Sequence, residues 1–349
     1  MRIIGQWNAA CRCARPRRGA AFSIHVETAH SRRIFAVMKR PIVFSPRYDI
    51  TLFGIEKSHP FDSAKYGKAF RHLVEAGFLD GKNHYAPPYA DAALLRKVHT
   101  ADYLASLGRS AKIAGIAEIP MLRYVPNFLL QWRFMTPMRY ATGGTVLGAG
   151  LALQHGWAIN LAGGYHHAKA AFGSGFCFFA DINIAAQVVW EKQPDTRIMV
   201  IDLDAHQGNG FAATFGAEPR VALLDVYNGD IYPHDQPARR HVKYDRPIRS
   251  RTQTPAYMAL IQELIPMAVV DEAPGLIIYN AGTDIYEKDP LGALSISKEG
   301  IIARDEFVFR TAKQAGIPIL MVLSGGYTRE SYLLIAESIL NLSKQGLLP

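Results

Sequence analysis

Short apolar runs recur along the chain, and each gives way to a glycine-flanked polar cluster. Trp157-Ala158-Ile159-Asn160-Leu161 leads into Gly163-Gly164-Tyr165-His166-His167, and Arg197-Ile198-Met199-Val200-Ile201 into Asp202-Leu203-Asp204-Ala205-His206. Leu276-Ile277-Ile278-Tyr279 leads into Asn280-Ala281-Gly282-Thr283-Asp284, and the run ending Met321-Val322-Leu323 into Ser324-Gly325-Gly326-Tyr327. Val221-Ala222-Leu223-Leu224 is a further run, followed by Asp225. Near-continuous apolar stretches of this length predict strands buried on both faces. Thr142 to His155 reads as a helix whose Gly144 and Gly148, one turn apart, permit close approach to a sheet. Phe172 to Phe179 reads as a turn running into an aromatic strand. Strands alternating with helices predict a parallel sheet flanked on both sides, with its ligand crevice beyond the carboxyl ends of the strands.

The polar clusters supply the chemistry. Side chains two residues apart share a strand face, so Asp202, Asp204 and His206 are expected to project together as far as the extended conformation persists. Carboxylate oxygen with imidazole nitrogen suits Zn²⁺, Fe²⁺ or Mn²⁺, and the segment offers no thiolate. Taken alone, it reads equally well as an Asp-rich turn after a core strand. The histidine pair, the further carboxylate Asp284 and the phenol of Tyr327 at three other strand ends make a shared site the stronger reading.

In this order, Gly-Gly-Tyr-His-His, Asp-Leu-Asp-Ala-His-Gln-Gly-Asn-Gly, Ala-Gly-Thr-Asp with Asp289-Pro290-Leu291-Gly292, and Ser-Gly-Gly-Tyr resemble the zinc-dependent histone deacetylase family. Pro41 to Tyr48 and Glu56 to Asp62 resemble the start of its class IV branch, which implies a bacterial or organellar homologue. The resemblance runs from about Pro41 to the C-terminus. It implies an α/β protein, an arginase/deacetylase-like three-layer α/β/α sandwich with a mainly parallel central sheet. The implied activity is metal-dependent hydrolysis of acyl-lysine amides, either deacetylation or removal of long fatty acyl groups. The implied cofactor is Zn²⁺, with Fe²⁺ or Mn²⁺ as alternatives, held by Asp204, His206 and Asp284 and activating a water.

The same resemblance implies that His167 is base and then acid, that His166 supplies electrostatics and positions water, and that Asp202 orients His166. Tyr327 would donate to the developing oxyanion, while Gly175 and Phe176 would line the acyl-lysine tunnel. A structural K⁺ is implied near Asp202, Asp204, His206 and Asp225, held largely by backbone oxygens. Asn209 departs from the commoner classes, which carry Asp there. An amide orients an imidazole without stabilising its positive charge, so His167 is expected to have a lower pKa than its counterpart in those classes.

Other readings are weaker. Cys177 reads as a buried structural thiol rather than a nucleophile. His59, His99 and His234 read as loop or packed histidines, with His59-Pro60-Phe61-Asp62 forming part of a pocket rim. Ureohydrolases of this fold place an additional Asp two residues after the Asp-x-His histidine, where Gly208 stands here. The alternative substrate is a small acylated amine such as an acetylpolyamine in place of an acyl-lysine protein or peptide. The non-enzyme alternative is an acyl-lysine binding module. Neither a Walker pattern nor a placed Gly-x-Gly-x-x-Gly is present, so Thr142 to His155 is a packing helix, not a phosphate loop.

Composition fits one α/β enzyme domain over residues 39–349. No run is long enough to span a bilayer, and the three cysteines suggest no disulfide framework, so a reducing, cytoplasmic setting is expected. Charge changes the picture at one end only. Residues 1–40 carry nine Arg or Lys and one acidic residue, leaving +1 of the chain's +9 for the remainder. Residues 1–38 are therefore expected to be a basic extension, disordered or upstream of the native start at Met38, with no catalytic role. The activity requires no nucleic acid, and the sequence sets no oligomeric state.

Overall fold

The computed structural model describes residues 39–349 except 52, 53, 55, 57–60 and 217. The expectations for residues 1–38, and for His59 and Pro60 at the rim, lie outside the described residues. Met38–Pro349 forms one compact unit.

The five apolar runs become β2 (Trp157–Asn160), β3 (Ile198–Asp202), β4 (Val221–Asn228), β6 (Leu276–Asn280) and β7 (Ile319–Val322), and two strands not read from the sequence, β1 (Ile42–Val43) and β5 (Tyr244–Ile248), lie at the edges. They form one seven-stranded sheet in the order β1-β2-β7-β6-β3-β4-β5. Every pairing is parallel. Successive residues of each central strand enter different cores. Met199, Ile201, Ile277, Tyr279, Ile319 and Met321 pack on one side. Ile198, Val200, Leu276, Ile278, Leu320 and Val322 pack on the other. The first side is covered by helices Lys65–Glu75, Thr254–Glu272, Lys298–Ala315 and Ser331–Lys344. The second is covered by Thr136–His155, Asp181–Lys192 and Asn209–Phe215. The result is the three-layer α/β/α sandwich of the arginase/deacetylase type that the resemblance implied.

The strand order explains the site. β2, β7, β6 and β3 are consecutive in the sheet, so the four polar clusters read from the sequence emerge side by side at one edge. This is also where the order departs from sequence: β7 and β6 separate β2 from β3, and the crevice opens at that switch.

Three local expectations are corrected. The extended conformation stops at Asp202, so Asp202 and Asp204 do not share a strand face; Asp204 turns back through its N–H to Asp202 Oδ1 at 3.0 Å. Conversely, β4 continues through Asp225 to Asn228, because β5 pairs with it to that end while β3 pairs with it as far as Asp225. The segment around Phe172–Phe179 forms isolated bridges, Lys169 with Phe172 and Ser174 with Cys177, instead of a strand. Its backbone is committed elsewhere: Phe176 N–H donates to Ile116 O at 3.0 Å, and Phe178 O accepts from Tyr103 Oη at 2.8 Å. His99 takes the N–H of Ala180 on Nε2 at 2.9 Å and places Nδ1 at 3.1 Å from Ala170 O, with burial lowering its pKa to about 4. It is a packed neutral histidine.

Helix Thr136–His155 starts earlier than the small-residue run suggests, with Pro137 in its first turn, and ends at left-handed Gly156. A Cβ on Gly148 would lie 2.6 Å from Leu320 Cδ1 on β7, and one on Gly144 would lie 2.2 Å from Tyr48 Oη. The neighbouring Gly143 is still tighter, since its Cβ would come within 1.9 Å of the Pro88 carbonyl oxygen. Backbone cannot yield as a side-chain tip does, so Gly143→Ala should destabilise the fold by about 1–3 kcal/mol, read as a lower urea midpoint with an unchanged slope.

Candidate metal centre

The site is built from four strand-end loops that hold one another. After β2, Gly163 and Gly164 take φ of 80° and 86°, and a Cβ on Gly164 would meet Asn280 Oδ1 at 2.2 Å. Asp181 secures this turn by accepting from Gly164 N at 2.9 Å, Tyr165 N at 2.9 Å and Thr145 Oγ1 at 2.6 Å. The turn delivers His166 and His167, both buried with ring centroids 4.1 Å apart. The loops after β3 and β6 bond directly, Ala205 N donating to Asp284 Oδ1 at 2.9 Å. The β7 loop joins them through Gly325 N, which donates to Asp204 Oδ2 at 2.8 Å.

Ligand atoms of Asp204, His206 and Asp284 lie within 4.8 Å of one another, and all three residues are buried. His206 Nδ1 is 2.9 Å from Asp284 Oδ2 and 3.2 Å from Asp204 Oδ1. Cβ atoms at Gly282 and Gly325 would sit 2.3 Å from Asp204 Oδ2 and Asp284 Oδ2, so glycine is needed where the carboxylates converge. Burial and the charge of Asp204 raise the Asp284 pKa to about 7. Burial opposes charge on His206, yet the two carboxylates outweigh it and raise its pKa to about 10. The pocket thus carries excess negative charge and gathers protons where a cation would neutralise it. Two carboxylates and an imidazole fit Zn²⁺ with a coordination position left open, the arrangement of a catalytic rather than a structural zinc.

The histidines are driven apart in protonation. His166 Nδ1 lies 2.8 Å from Asp202 Oδ2. Burial resists its charge, but Asp202 and Asp204 prevail and raise its pKa to about 9. His167 Nδ1 lies 2.8 Å from Asn209 Oδ1. Burial, then the neighbouring His166 and His206, hold its pKa well below the usual histidine value. The main cause is burial beside other histidines, since the Asn209 contact itself favours the charged form. Near pH 7 one imidazole is charged and the other neutral, the division that acid–base chemistry requires.

Tyr327 is half-buried, its ring centroid 6.1 Å from His206 and 6.0 Å from Phe176. Its backbone N–H is fixed by Asp289 Oδ2 at 2.7 Å, and burial keeps its phenol protonated as a donor. Gly175, at φ 51°, packs so closely on His167 that a Cβ would meet Cδ2 at 2.5 Å, and Phe176 follows at φ 63°. Tyr327, Gly175 and Phe176 line, with His166 and His167, a cavity of about 70 Å³ whose lining also includes the apolar Phe61, Ile119, Phe134 and Met138. Cys177 is buried and its thiol is pushed up by burial, which matches an inert structural cysteine. Asp225 Oδ1 is buried without a hydrogen-bond partner, while Oδ2 accepts from Gly208 N at 2.9 Å. Burial and the charge of Asp202 raise the Asp225 pKa, so it holds either a proton or a cation. His234 is exposed on the loop after β4.

Several site residues escape sequence reading. Lys65, fully buried, donates to Ser324 O at 2.9 Å and Gly325 O at 3.0 Å just before Tyr327. Arg304 donates to Leu203 O at 3.2 Å and Gly282 O at 2.6 Å, bracing the loops of Asp204 and Asp284. Asp181 and Asp235 are further examples. A signal existed for Arg304 alone, which interrupts the apolar stripe Ile301, Val308, Ala312 of its helix at helical spacing.

A buried Asp-His-Asp cluster that could hold a metal ion thus stands beside an asymmetric histidine pair at the carboxyl edge of a parallel α/β sheet. Residues 59–342 match the family model described as "Histone deacetylase domain". The chain belongs to the histone deacetylase family, and its class is that of a hydrolase. It is 47% identical over 310 residues to "Histone deacetylase 2" of Arabidopsis thaliana, covering 89% of this chain and 80% of that relative. Among solved structures, the HDA15 HD domain superposes with a TM-score of 0.70 at 19% identity, covering 89% of each chain. Acetylpolyamine aminohydrolase from Burkholderia pseudomallei superposes with a TM-score of 0.67 at 17% identity, covering 86% of this chain and 97% of that one. Identities this low establish the fold alone. No helix among the described residues is long and apolar enough to cross a membrane.

Because a cation must displace the protons gathered on His206 and Asp284, Zn²⁺ affinity should fall as pH falls. Each displaced proton contributes about tenfold per pH unit, below about pH 10 for His206 and additionally below about pH 7 for Asp284. Chelator-competition titrations at pH 6, 7 and 8 check this; a pH-independent affinity counts against these ligands.

Proposed function

We propose that the chain hydrolyses acyl-lysine amides with a divalent metal, Zn²⁺ by its donor set, held by Asp204, His206 and Asp284. The observation that carries this is the buried cluster of Asp204, His206 and Asp284 beside a histidine pair whose rings meet different partners, His166 on Asp202 and His167 on Asn209. When bound, the metal polarises the amide carbonyl and acidifies a water. Neutral His167 presents a free Nε2 to take the proton of the attacking water and return it to the departing lysine amine. His166, kept charged by Asp202, steadies the water and the developing negative charge. Tyr327 donates its phenol proton to the oxyanion. Gly175 and Phe176 flank the substrate stem. A monovalent cation at Asp225 is supported by its partnerless buried oxygen. Asn209 and the Pro41–Tyr48 start support placement in the class IV branch.

A cavity of about 70 Å³ suits acetyl and other short acyl groups, and a myristoyl chain requires it to widen. A small acylated amine is favoured by one observation, the acidic mouth: Glu56 lines the cavity, and exposed Glu118 interacts electrostatically with His206. The deciding experiment compares kcat/KM of Zn²⁺-loaded protein on one lysine peptide bearing acetyl, octanoyl or myristoyl, and on an acetylated diamine. Acetyl-lysine should be turned over best. Asp284→Ala should abolish both metal binding and turnover. Tyr327→Phe should cost about 10²–10³ in kcat with metal content unchanged. Turnover insensitive to both substitutions, or absent on every acyl group, would return the chain to an acyl-lysine binding role.

Asn209→Asp places a negative charge against His167 and should move the acid limb of the kcat/KM profile to higher pH. A profile superimposable on that of the unsubstituted chain would exclude His167 as the titrating base.

A further inference from the structure

Behind the histidine pair lies a side-chain chain that the proposed reaction does not yet use. Asn209 Oδ1 faces His167 Nδ1 at 2.8 Å, while Asn209 Nδ2 donates to Asp235 Oδ2 at 3.0 Å. The same carboxylate oxygen accepts from Lys169 Nζ at 2.7 Å. Asp235 Oδ1 accepts from Ala238 N at 3.1 Å at the start of helix Gln236–Arg239. Its backbone is gripped separately by Gln207, whose Oε1 takes the Asp235 N–H at 2.9 Å and whose Nε2 donates to Asp235 O at 3.0 Å. His167 and Asn209 are buried, and the Asp235 side chain is only 15% exposed.

We infer that Asp235 is a positioning residue that fixes the tautomer of His167 through Asn209. An amide is pseudosymmetric and can present oxygen or nitrogen to a neighbour. With a carboxylate on its far side only one orientation is satisfied, because a turned amide would set carbonyl oxygen against carboxylate oxygen and leave its NH₂ facing the ring. Asn209 therefore offers His167 an acceptor and nothing else. A neutral imidazole meeting an acceptor at Nδ1 carries its proton there and leaves Nε2 as a lone pair toward the cavity. Lys169 holds Asp235 in place and offsets its charge. The arrangement orients the ring as a carboxylate would, with the negative charge withdrawn behind an amide.

This inference rests on the reading of His167 as the base, and its test does not need turnover. The ¹⁵N shifts and two-bond couplings of the His167 ring, recorded on the full chain with and without Zn²⁺, report the tautomer directly. The unsubstituted chain should show the Nδ1–H form. Asp235→Ala should give a mixture or the Nε2–H form. Its kcat should drop about 10–100-fold, the usual cost of losing a partner behind a site residue, with KM within about twofold. Should Asp235→Ala not fold, Asp235→Ser carries the same expectation, since its hydroxyl can still cap at Ala238 yet ends one atom short of Asn209. A folded variant that keeps the Nδ1–H ring and normal kcat overturns the inference. A tautomer change in a chain that hydrolyses no acyl-lysine would uphold the positioning role and refute the deacylase reading.

Discussion

Asp204 and Asp284 face each other because one buried guanidinium ties together the loops that carry them. Arg304 is fully buried, and beyond Leu203 and Gly282 it reaches Ala281 O at 3.4 Å and Asp305 Oδ1 at 2.8 Å. Asp305 is itself held by Tyr279 Oη and Ser338 Oγ, each at 2.5 Å. Burying such a cation costs several kcal/mol unless its donors find acceptors, and the planar fork of arginine meets several at once where lysine would not. The separation of two mutually repelling carboxylates is thus set by a charge outside the cavity.

Charge balance follows from that brace. Asp202, Asp204, Asp225, Asp284 and Asp289 are all buried around the strand ends, and Lys65 and Arg304 sit at their periphery. Burial lowers the Lys65 pKa to about 8, against the pull of Asp284, Asp204 and Asp289, so it remains mostly charged at neutral pH while clamping the Tyr327 loop. Even with His166 and His206 charged beside them, burial, and then the charges of Asp204 and Asp202, raise the pKa values of Asp284 and Asp225, one inside the triad and one behind it. Each marks a place where a cation would relieve the same strain without a proton.

The five inner strands were legible because they are largely apolar on both faces, and their ends could be read from glycines beside polar residues; the edge strands β1, too short, and β5, with its Asp245-Arg246-Pro247, were not. Asp204, His206, Asp284, the histidine pair and Tyr327 emerged together because those motifs are local in sequence. What could not be read was pairwise and distant. Lys65 meets Ser324 across 259 positions and Arg304 meets Leu203 across 101; the apolar stripe around Arg304 hints that it is buried, but nothing near either residue names its partner. Asp225 was misplaced for a related reason. Polar residues usually end a strand, but here β3 pairs as far as Asp225 and β5 carries the ladder past it to Asn228. The bend after Asp202 was hidden likewise, because Asp204 N–H closes on a side chain instead of a neighbouring strand.

The asymmetry of the histidine pair has a reason in this packing. With rings 4.1 Å apart, two imidazoliums in a buried pocket would repel strongly, so both cannot be charged at neutral pH. Asp202 decides which one is, because it sits directly on His166. A second carboxylate directly on His167 would contest that outcome, whereas an amide supplies the orienting acceptor without the charge. Asn209 therefore preserves a division in which His166 keeps a standing positive charge and His167 stays free to exchange a proton. Gly175 reinforces it by packing against His167 and keeping water from its face, so desolvation works in the same direction as the missing charge.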